Sequence, residues 1–208
     1  MQEVFFADNL TAFKSVAESM KNETALCLSS ECQNAVHRWG DANGVSFDSS
    51  KESFHVLSRR NGWGELFKLL GVTFDSALSM DPEIHSLVQK CSWKVRTLLR
   101  AKKFYTVKEV IIEYKARVLS FLEYRTPAIY HAAGTLLHCV DNLQEHFLRE
   151  LGVSSREALL LHNLAPLSSR RDIAMLGLIE KSVLGHAHPD FSTFFTLVVD
   201  APGGRTRS

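Results

Sequence analysis

The chain has 208 residues, of which 45% are hydrophobic and 23% are charged. This composition is typical of a globular protein and excludes disordered, fibrous and collagen-like chains. The 24 basic and 23 acidic side chains give a net charge of +1, so the overall charge points to no class of partner. Because the sequence has no apolar run of transmembrane length and no secretory leader, we expect an intracellular protein, cytoplasmic or nuclear, with no membrane partner.

The first third of the chain favours short strands. An apolar run over residues 4–13 is broken at Asp8-Asn9, which predicts an antiparallel hairpin with a tight turn. A helix is predicted from about Ser29 to Asn43, with its apolar face formed by Cys32, Ala35, Val36 and Trp39.

The next segment predicts further strands. Residues 45–47 and 54–57 form a strand pair in this interpretation, joined by the turn that begins at Asp48. Residues 66–74 are predicted as one strand, in which Gly71 marks a bulge or a close approach of the backbone.

Helical periodicity dominates after residue 77. Asp81-Pro82 predicts the start of a helix that extends to about Ala101. Thr106 to Glu109 and Ser154 to Glu157 each have the pattern of a capping box, which opens a helix. A further helix is expected to end at Gly152, and the last runs from Ser168 or Ser169 to Leu184. The tail, residues 201–208, is expected to be disordered.

The four cysteines contain no C-x-x-C pair, which favours reduced side chains. Cys32, Cys91 and Cys139 lie on predicted apolar helix faces, so we expect them to act as small buried hydrophobic residues. No four Cys or His residues have the spacing of a zinc finger, and zinc is therefore not expected.

Basic residues concentrate in one segment. Between residues 90 and 117 the sequence has nine cations and only two acids, a local charge of about +7 in a chain of net +1. Such asymmetry is expected where a protein binds a phosphate backbone, although a solvated helix face is the alternative. The cations are Lys90, Lys94, Arg96, Arg100, Lys102, Lys103, Lys108, Lys115 and Arg117.

Several motifs, taken in order, resemble the C-terminal part of a non-LTR (LINE-type) retrotransposon reverse transcriptase. The resemblance spans about residues 4–195 and depends on the order of motifs that are each weak. They are Phe6-Ala7-Asp8-Asn9 for the F/Y-x-D-D hairpin, His37 to Gly40 and Val45 to Lys51 for the next palm motif, Phe67 to Val72 for the primer grip, Tyr114 to Tyr124 for the thumb, and Leu164 to Gly177 for the region after it.

The resemblance implies specific residue roles. The family performs RNA-templated DNA synthesis by two-metal nucleotidyl transfer with Mg²⁺. Asp8 corresponds to the first hairpin carboxylate, a metal ligand, whereas Asn9 stands where a second aspartate belongs. Lys51 corresponds to the palm lysine that protonates pyrophosphate. Lys68 and Gly71 correspond to the primer grip.

The resemblance also implies an α+β architecture with three regions. Residues 1–76 would be the remnant of an antiparallel palm, residues 77–165 a mainly helical thumb, and residues 166–208 a helical C-terminal extension with a disordered tail. The family's upstream aspartate and fingers have no counterpart in the sequence. We therefore expect a truncated chain, without its N-terminal fingers and palm segment, that does not bind Mg²⁺ stably and has lost polymerase activity.

Alternatives remain open for the function and for the individual motifs. The chain could be part of a working RNA-directed DNA polymerase, the product of a pseudogene, or a non-catalytic module that binds RNA/DNA or RNA duplex through phosphate contacts. The predicted backbone-binding residues are Lys94, Arg96, Arg100, Lys102 and Lys103. Asp8-Asn9 could equally be an ordinary turn, and Lys51 an ordinary surface lysine.

Overall fold

The computed structural model describes residues 2–6, 9–13, 22–48, 50, 52–58, 64–188 and 191, with the backbone alone for residues 2–23 and 25. The chain divides into two compact units, residues 1–65 and 66–208. This division falls before the change in sequence character near residue 77, because the hairpin at residues 67–74 is joined to the helix that follows it.

The first unit begins with an antiparallel strand pair. Strands β1 (Gln2–Phe6) and β2 (Asn9–Phe13) pair so that Phe6 lies opposite Asn9. The predicted hairpin is thus confirmed as a strand pair, but Asn9 belongs to β2 rather than to the turn. The residues between the strands, 7 and 8, lie outside the described part of the chain.

Helix α1 (Asn22–Asn43) begins seven residues before the predicted start at Ser29. The prediction was wrong because residues 23–28 contain Glu, Ala and two Leu, which favour helix, and no Gly or Pro. Its predicted apolar face is not buried either. Ala35 and Trp39 are exposed, Cys32 is half-buried, and among the described side chains of this unit only Gly40 is buried.

The predicted strand pair at 45–47 and 54–57 is not formed. Within the described residues these segments make no ladder, and Val56 forms only an isolated bridge. The chain instead folds back on α1, where the backbone N–H of Val45 donates to Gly40 O at 2.9 Å. A Cβ atom on Gly40 would lie 2.6 Å from Val45 O and 2.7 Å from the Phe47 ring, so this return requires glycine.

The second unit begins with a hairpin rather than the single strand predicted over residues 66–74. Strands β3 (Phe67–Leu69) and β4 (Val72–Phe74) are antiparallel, and the rings of Phe67 and Phe74 stack with centroids 5.5 Å apart. The turn residues Leu70 and Gly71 both have positive φ, 50° and 77°, as a type I′ turn requires. Gly71 therefore marks a turn, not a bulge.

Helix α2 (Asp81–Ala101) supplies one face of the core and confirms the predicted helix. Its cap is Met80, in the left-handed conformation, so Asp81 and Pro82 lie in the first turn and Asp81 is not the cap. Ile84, Leu87, Cys91 and Val95 are each at most 1% exposed. A 3₁₀ turn, Lys102–Phe104, follows α2.

The next helical stretch contains a π-helical segment. Helix α3 (Val107–Tyr114) leads into a π-helix (Lys115–Leu119) and then into α4 (Ser120–Glu123). Val110, Tyr114, Val118 and Leu122 are buried at four-residue intervals. In a regular helix this spacing would turn each side chain about 40° from the last. The wider π-turn compensates for that rotation and keeps the row in the core.

Four more helices follow in the described part of the second unit: α5 (Thr126–Ile129), α6 (Gly134–Leu151), α7 (Ser155–His162) and α8 (Leu167–Val183). Both predicted capping boxes, at Thr106 and Ser154, are confirmed. Gly152 ends α6 in the left-handed conformation, as predicted. The α6 core centres on Phe147, whose ring stacks on Tyr114 with centroids 4.2 Å apart.

Cys91 is fully buried, as predicted, but Cys139 is exposed. Cys139 precedes the buried Val140 by one residue, which places it about 100° around α6 and outside the buried face. The described residues are mainly helical and include two small antiparallel strand pairs, which agrees with the predicted α+β class. Among the described residues, no helix is both long and apolar enough to cross a membrane.

Candidate nucleic-acid interface

The predicted catalytic residues of the first unit are only partly described. Asp8 and Lys51 lie outside the described residues, and Asn9 is described by its backbone in β2. Of the predicted turn that begins at Asp48, residues 49 and 51 lie outside the described part of the chain, and the backbone N and the Oγ of Ser50 donate to Asp48 Oδ1 at 3.0 and 2.6 Å.

The segment that follows α1 and folds back on this helix is held there by Glu52. Its Oε1 lies 2.8 Å from His37 Nε2, and its other oxygen accepts a hydrogen bond from Gln33. The His37 ring also meets Phe47 edge-on, with centroids 5.7 Å apart. The structure therefore brings together two parts of the predicted palm motif, the end of α1 and the segment from Val45 to Asp48.

No metal centre can be built from the described side chains, among which no three His, Cys, Asp or Glu residues are placed to hold an ion. The magnesium ligand that the resemblance implies, Asp8, falls outside that part of the chain. The role of Asp8 as a metal ligand and the expected absence of stable Mg²⁺ binding therefore stay predictions.

The predicted primer-grip residues lie on the hairpin of the second unit. Lys68 is exposed in β3, opposite Thr73, and Gly71 lies in the turn. The hairpin is attached to α2 because Thr73 N donates to Glu83 Oε2 at 2.8 Å. Glu83 in turn pairs with Arg125 at 2.6 Å, and both side chains are less than a tenth exposed. This ion pair joins the hairpin, α2 and the end of α4.

The five predicted backbone-binding cations fall into two groups. Arg96, Arg100 and Lys103 are exposed, and no carboxylate of the described chain forms an ion pair with them. Lys94 and Lys102 are instead engaged within the protein. Lys94 Nζ donates to Arg117 O at 3.0 Å, and Lys102 Nζ donates to Glu150 O at 2.7 Å.

The exposed cations share one face of α2 with an aromatic residue. Trp93, Arg96 and Arg100 follow the i, i+3, i+7 spacing of a single helix face, and Lys103 continues it in the 3₁₀ turn. We call these four residues the α2 stripe. Phe104 and Tyr105, 75% and 58% exposed, extend its aromatic character. Like charges on successive turns repel one another, so the stripe is suited to an anionic partner.

An open groove lies beside the stripe, with a volume of about 740 Å³. Its lining includes Trp93, Lys94, Arg117, Phe121, Tyr124 and Arg125. Trp93 was not identified as a site residue by the sequence analysis. In the sequence, Trp93 lies outside the apolar row Ile84, Leu87, Cys91, Val95 of α2. A tryptophan on the polar face of a helix was the available signal.

Two buried ionisable groups are unsuited to nucleophilic or acid–base chemistry. Burial raises the pKa of the Cys91 thiol to about 11, so the thiol stays protonated at neutral pH. Burial also raises the pKa of Tyr114, whose hydroxyl donates to Gln144 Oε1. These two residues therefore belong to the core.

Comparisons with protein-family models, with curated proteins and with solved structures found no match to this chain.

Proposed function

We propose that the chain is a reverse-transcriptase-like protein, derived from a non-LTR retrotransposon, whose second unit binds RNA/DNA or RNA duplex through the phosphate backbone. The observation that carries the proposal is the α2 stripe, three exposed cations on one face without acidic partners among the described residues. Contacts of cations with phosphates release counterions and give affinity that does not depend on sequence.

The order of elements supports the family part of the proposal. The resemblance assigns a primer grip to residues 67–72 and a helical thumb after it. In the structure a β-hairpin at this position is followed by the helical bundle, to which it is attached through Glu83. The exposed Lys68 and the stripe cations belong to the same unit.

Salt dependence of duplex binding tests the proposal. If Arg96, Arg100 and Lys103 each contact one phosphate, the log–log slope of the association constant against salt concentration should be roughly −3. The triple variant Arg96→Glu, Arg100→Glu, Lys103→Glu should flatten this slope and weaken binding to all duplex sequences alike.

A matched control changes the same charge elsewhere. Arg149, Arg156 and Lys181 are exposed on α6, α7 and α8, and their reversal to Glu should leave most of the slope intact. A slope near zero for the parent chain, or equal losses in both triple variants, would overturn the proposed binding face.

The catalytic part of the proposal is that the chain does not extend primers. Asn9 replaces the second hairpin carboxylate, which removes a negative charge that two Mg²⁺ ions require. We expect no incorporation on poly(rA)/oligo(dT) with Mg²⁺ or Mn²⁺. Incorporation by the purified chain that Asp8→Ala abolishes would show that the polymerase site is functional.

A further inference from the structure

The open groove beside the α2 stripe lies between α2 and the π-helix (Lys115–Leu119), and it presents two exposed aromatic rings. Trp93 is 70% exposed on α2, and Tyr124, at the end of α4, is 59% exposed. The hydroxyl of Tyr124 donates to Leu70 O in the hairpin turn at 2.7 Å, which restrains this ring although it is exposed. A restrained aromatic surface loses little side-chain entropy when a planar ligand stacks on it.

The third ring of the groove, Phe121, is already occupied. Lys94 Nζ lies 4.0 Å from its centroid and Arg125 Cζ lies 3.8 Å from it, both within cation–π distance. Phe121 therefore positions two cations at the base of the groove. Arg125 Cζ also lies 5.7 Å from the centroid of Tyr124, over one face of that ring, so stacking of a ligand is left to Trp93 and to the other face of Tyr124.

The charges of the groove favour a singly charged anion. Three cations line it, and two of them are paired: Arg125 with Glu83 and Arg117 with Glu113. The remaining positive charge is that of Lys94, whose Nζ donates to Arg117 O at 3.0 Å, so this charge lies beside Arg117 and matches one phosphodiester bound there. The Arg117 side chain is 67% exposed and contacts Glu113 through Nε, so its terminal amino groups can donate to a phosphate.

The π-helix forms the wall of the groove opposite α2. The backbone N–H of Lys115 is shared between the carbonyls of Ile111 and Ile112, and that of Ser120 donates to Lys115 O, the bond of a π-turn. Arg117 lies within this segment, in the groove lining. Single π-turns within helices are frequent at functional sites.

We infer that this groove binds an unpaired nucleotide, with its base stacked on Trp93 and Tyr124 and its phosphate at Arg117. A base inside a duplex has both faces covered by its neighbours, so only an unpaired base can use these rings. The inference rests on the proposed backbone binding and extends it. The α2 stripe binds the phosphates of a duplex, and the groove takes a base from the single strand that leaves it.

The experiment measures the affinity of the 208-residue chain for three ligands. They are a blunt RNA/DNA duplex, the same duplex with a four-nucleotide overhang, and that overhang built from abasic nucleotides. Stacking of one base contributes ~1–3 kcal/mol, so the overhang should bind at least about fivefold tighter than its abasic counterpart. The abasic overhang has the same charge, which separates stacking from phosphate contacts.

Four single variants show which residues provide the gain in affinity from the bases. Trp93→Ala and Tyr124→Ala should each remove most of the gain from the bases, whereas Trp93→Phe should retain part of it. Phe104→Ala reports on stacking at the stripe instead, because Phe104 is 75% exposed, has Lys103 Nζ 4.9 Å from its ring centroid and is outside the lining that includes Trp93 and Tyr124. Circular dichroism and melting temperature verify that each variant is folded.

The possible outcomes are distinct. Equal affinity for the base-containing and abasic overhangs, with salt-dependent duplex binding retained, would overturn the groove and leave the proposed function standing. Equal losses in Trp93→Ala and Phe104→Ala would place stacking on the stripe rather than in the groove, and would also overturn the inference. Absence of salt-dependent binding to any ligand would overturn the proposed function itself.

Discussion

The buried ion pair between Glu83 and Arg125 connects the hairpin to the base of the groove. Glu83 also accepts the Thr73 N–H, and Arg125 also donates to Phe121 O and lies over the Phe121 ring. The pair thus positions the hairpin and the base of the groove together. Removing one charge leaves its partner buried and unpaired, which is costly in a site where water is excluded.

Arg125→Met should therefore lower the free energy of unfolding by about 3–5 kcal/mol, as measured by urea denaturation. The double variant Arg125→Met, Glu83→Gln removes both charges and keeps an acceptor for Thr73 N, so it should recover more than half of that loss. Glu113→Gln, which breaks the exposed pair with Arg117, should cost about 0–1 kcal/mol. A double variant no more stable than the single one would show that the charge itself is not the cause.

At the scale of residues, local patterns predicted burial only where a row of apolar side chains is long. The row from Ile84 to Val95 predicted the buried face of α2, including Cys91. The burial of Glu83 and Arg125 could not be predicted, because the two residues are 42 positions apart and neither is unusual in its local sequence. The groove depends on the same long-range contacts, so the sequence indicated two of its cations, Lys94 and Arg117, but neither Arg125 nor the arrangement of the three.

Each of the two capping boxes contains a carboxylate whose pKa is lowered in the folded chain. The backbone N–H and the hydroxyl of Thr106 donate to the Glu109 carboxylate and lower its pKa below the ordinary value of 4.5. Ser154 lowers the pKa of Glu157 in the same way. A carboxylate whose pKa is lowered on folding stabilises the fold above its unfolded pKa, and this contribution disappears as pH falls through the folded pKa.

We expect the melting temperature to fall as pH decreases below about 4.5, and the double variant Glu109→Gln, Glu157→Gln to show a shallower decline. The amide oxygens of Gln can still accept the cap hydrogen bonds but do not titrate. Glu145→Gln, an exposed change on α6 away from either cap, serves as the control. Thr106→Ala, which removes the cap itself, should cost about 1 kcal/mol at neutral pH. If the melting temperatures of the parent and of the double variant fall in parallel as the pH decreases, the capping carboxylates are not the cause of the decline.

At the scale of elements, helices with caps were predicted well, whereas among the predicted strands only the pair at residues 4–13 was confirmed. The signals of α6 and α7, a capping box and a terminal glycine, are local and determine the backbone directly. Residues 66–74 were taken for one strand because Leu70 is apolar, although its left-handed conformation makes it a turn residue. Residues 45–47 alternate like a strand but fold onto α1 through Gly40, a contact that alternation does not reveal.

At the scale of the whole molecule, the described hydrophobic core lies entirely within the second unit. Its buried apolar residues run from Val72 to Leu167, and Tyr114, Phe147 and Met80 are the largest fully buried side chains. Further contacts attach α8 to this core. Arg171 makes two hydrogen bonds to Asp141 on α6, at 2.6 and 2.9 Å, and Arg170 pairs with Glu123 on α4. By contrast, only Gly40 is buried among the described side chains of residues 24–58.

This distribution predicts that a fragment of residues 66–208 folds cooperatively and retains the melting transition of the full chain. Burial of apolar surface is the main source of stability, and the fragment keeps every residue of the described core. Its circular-dichroism transition should lie within a few degrees of that of the full chain. Phe147→Ala should lower the free energy of unfolding of both by about 3–5 kcal/mol. A fragment that unfolds without a transition, or a Phe147→Ala effect confined to the full chain, would show that residues 1–65 contribute to the same core. The salt-dependent duplex binding should remain in the fragment, because the α2 stripe and the hairpin that bears Lys68 belong to this unit.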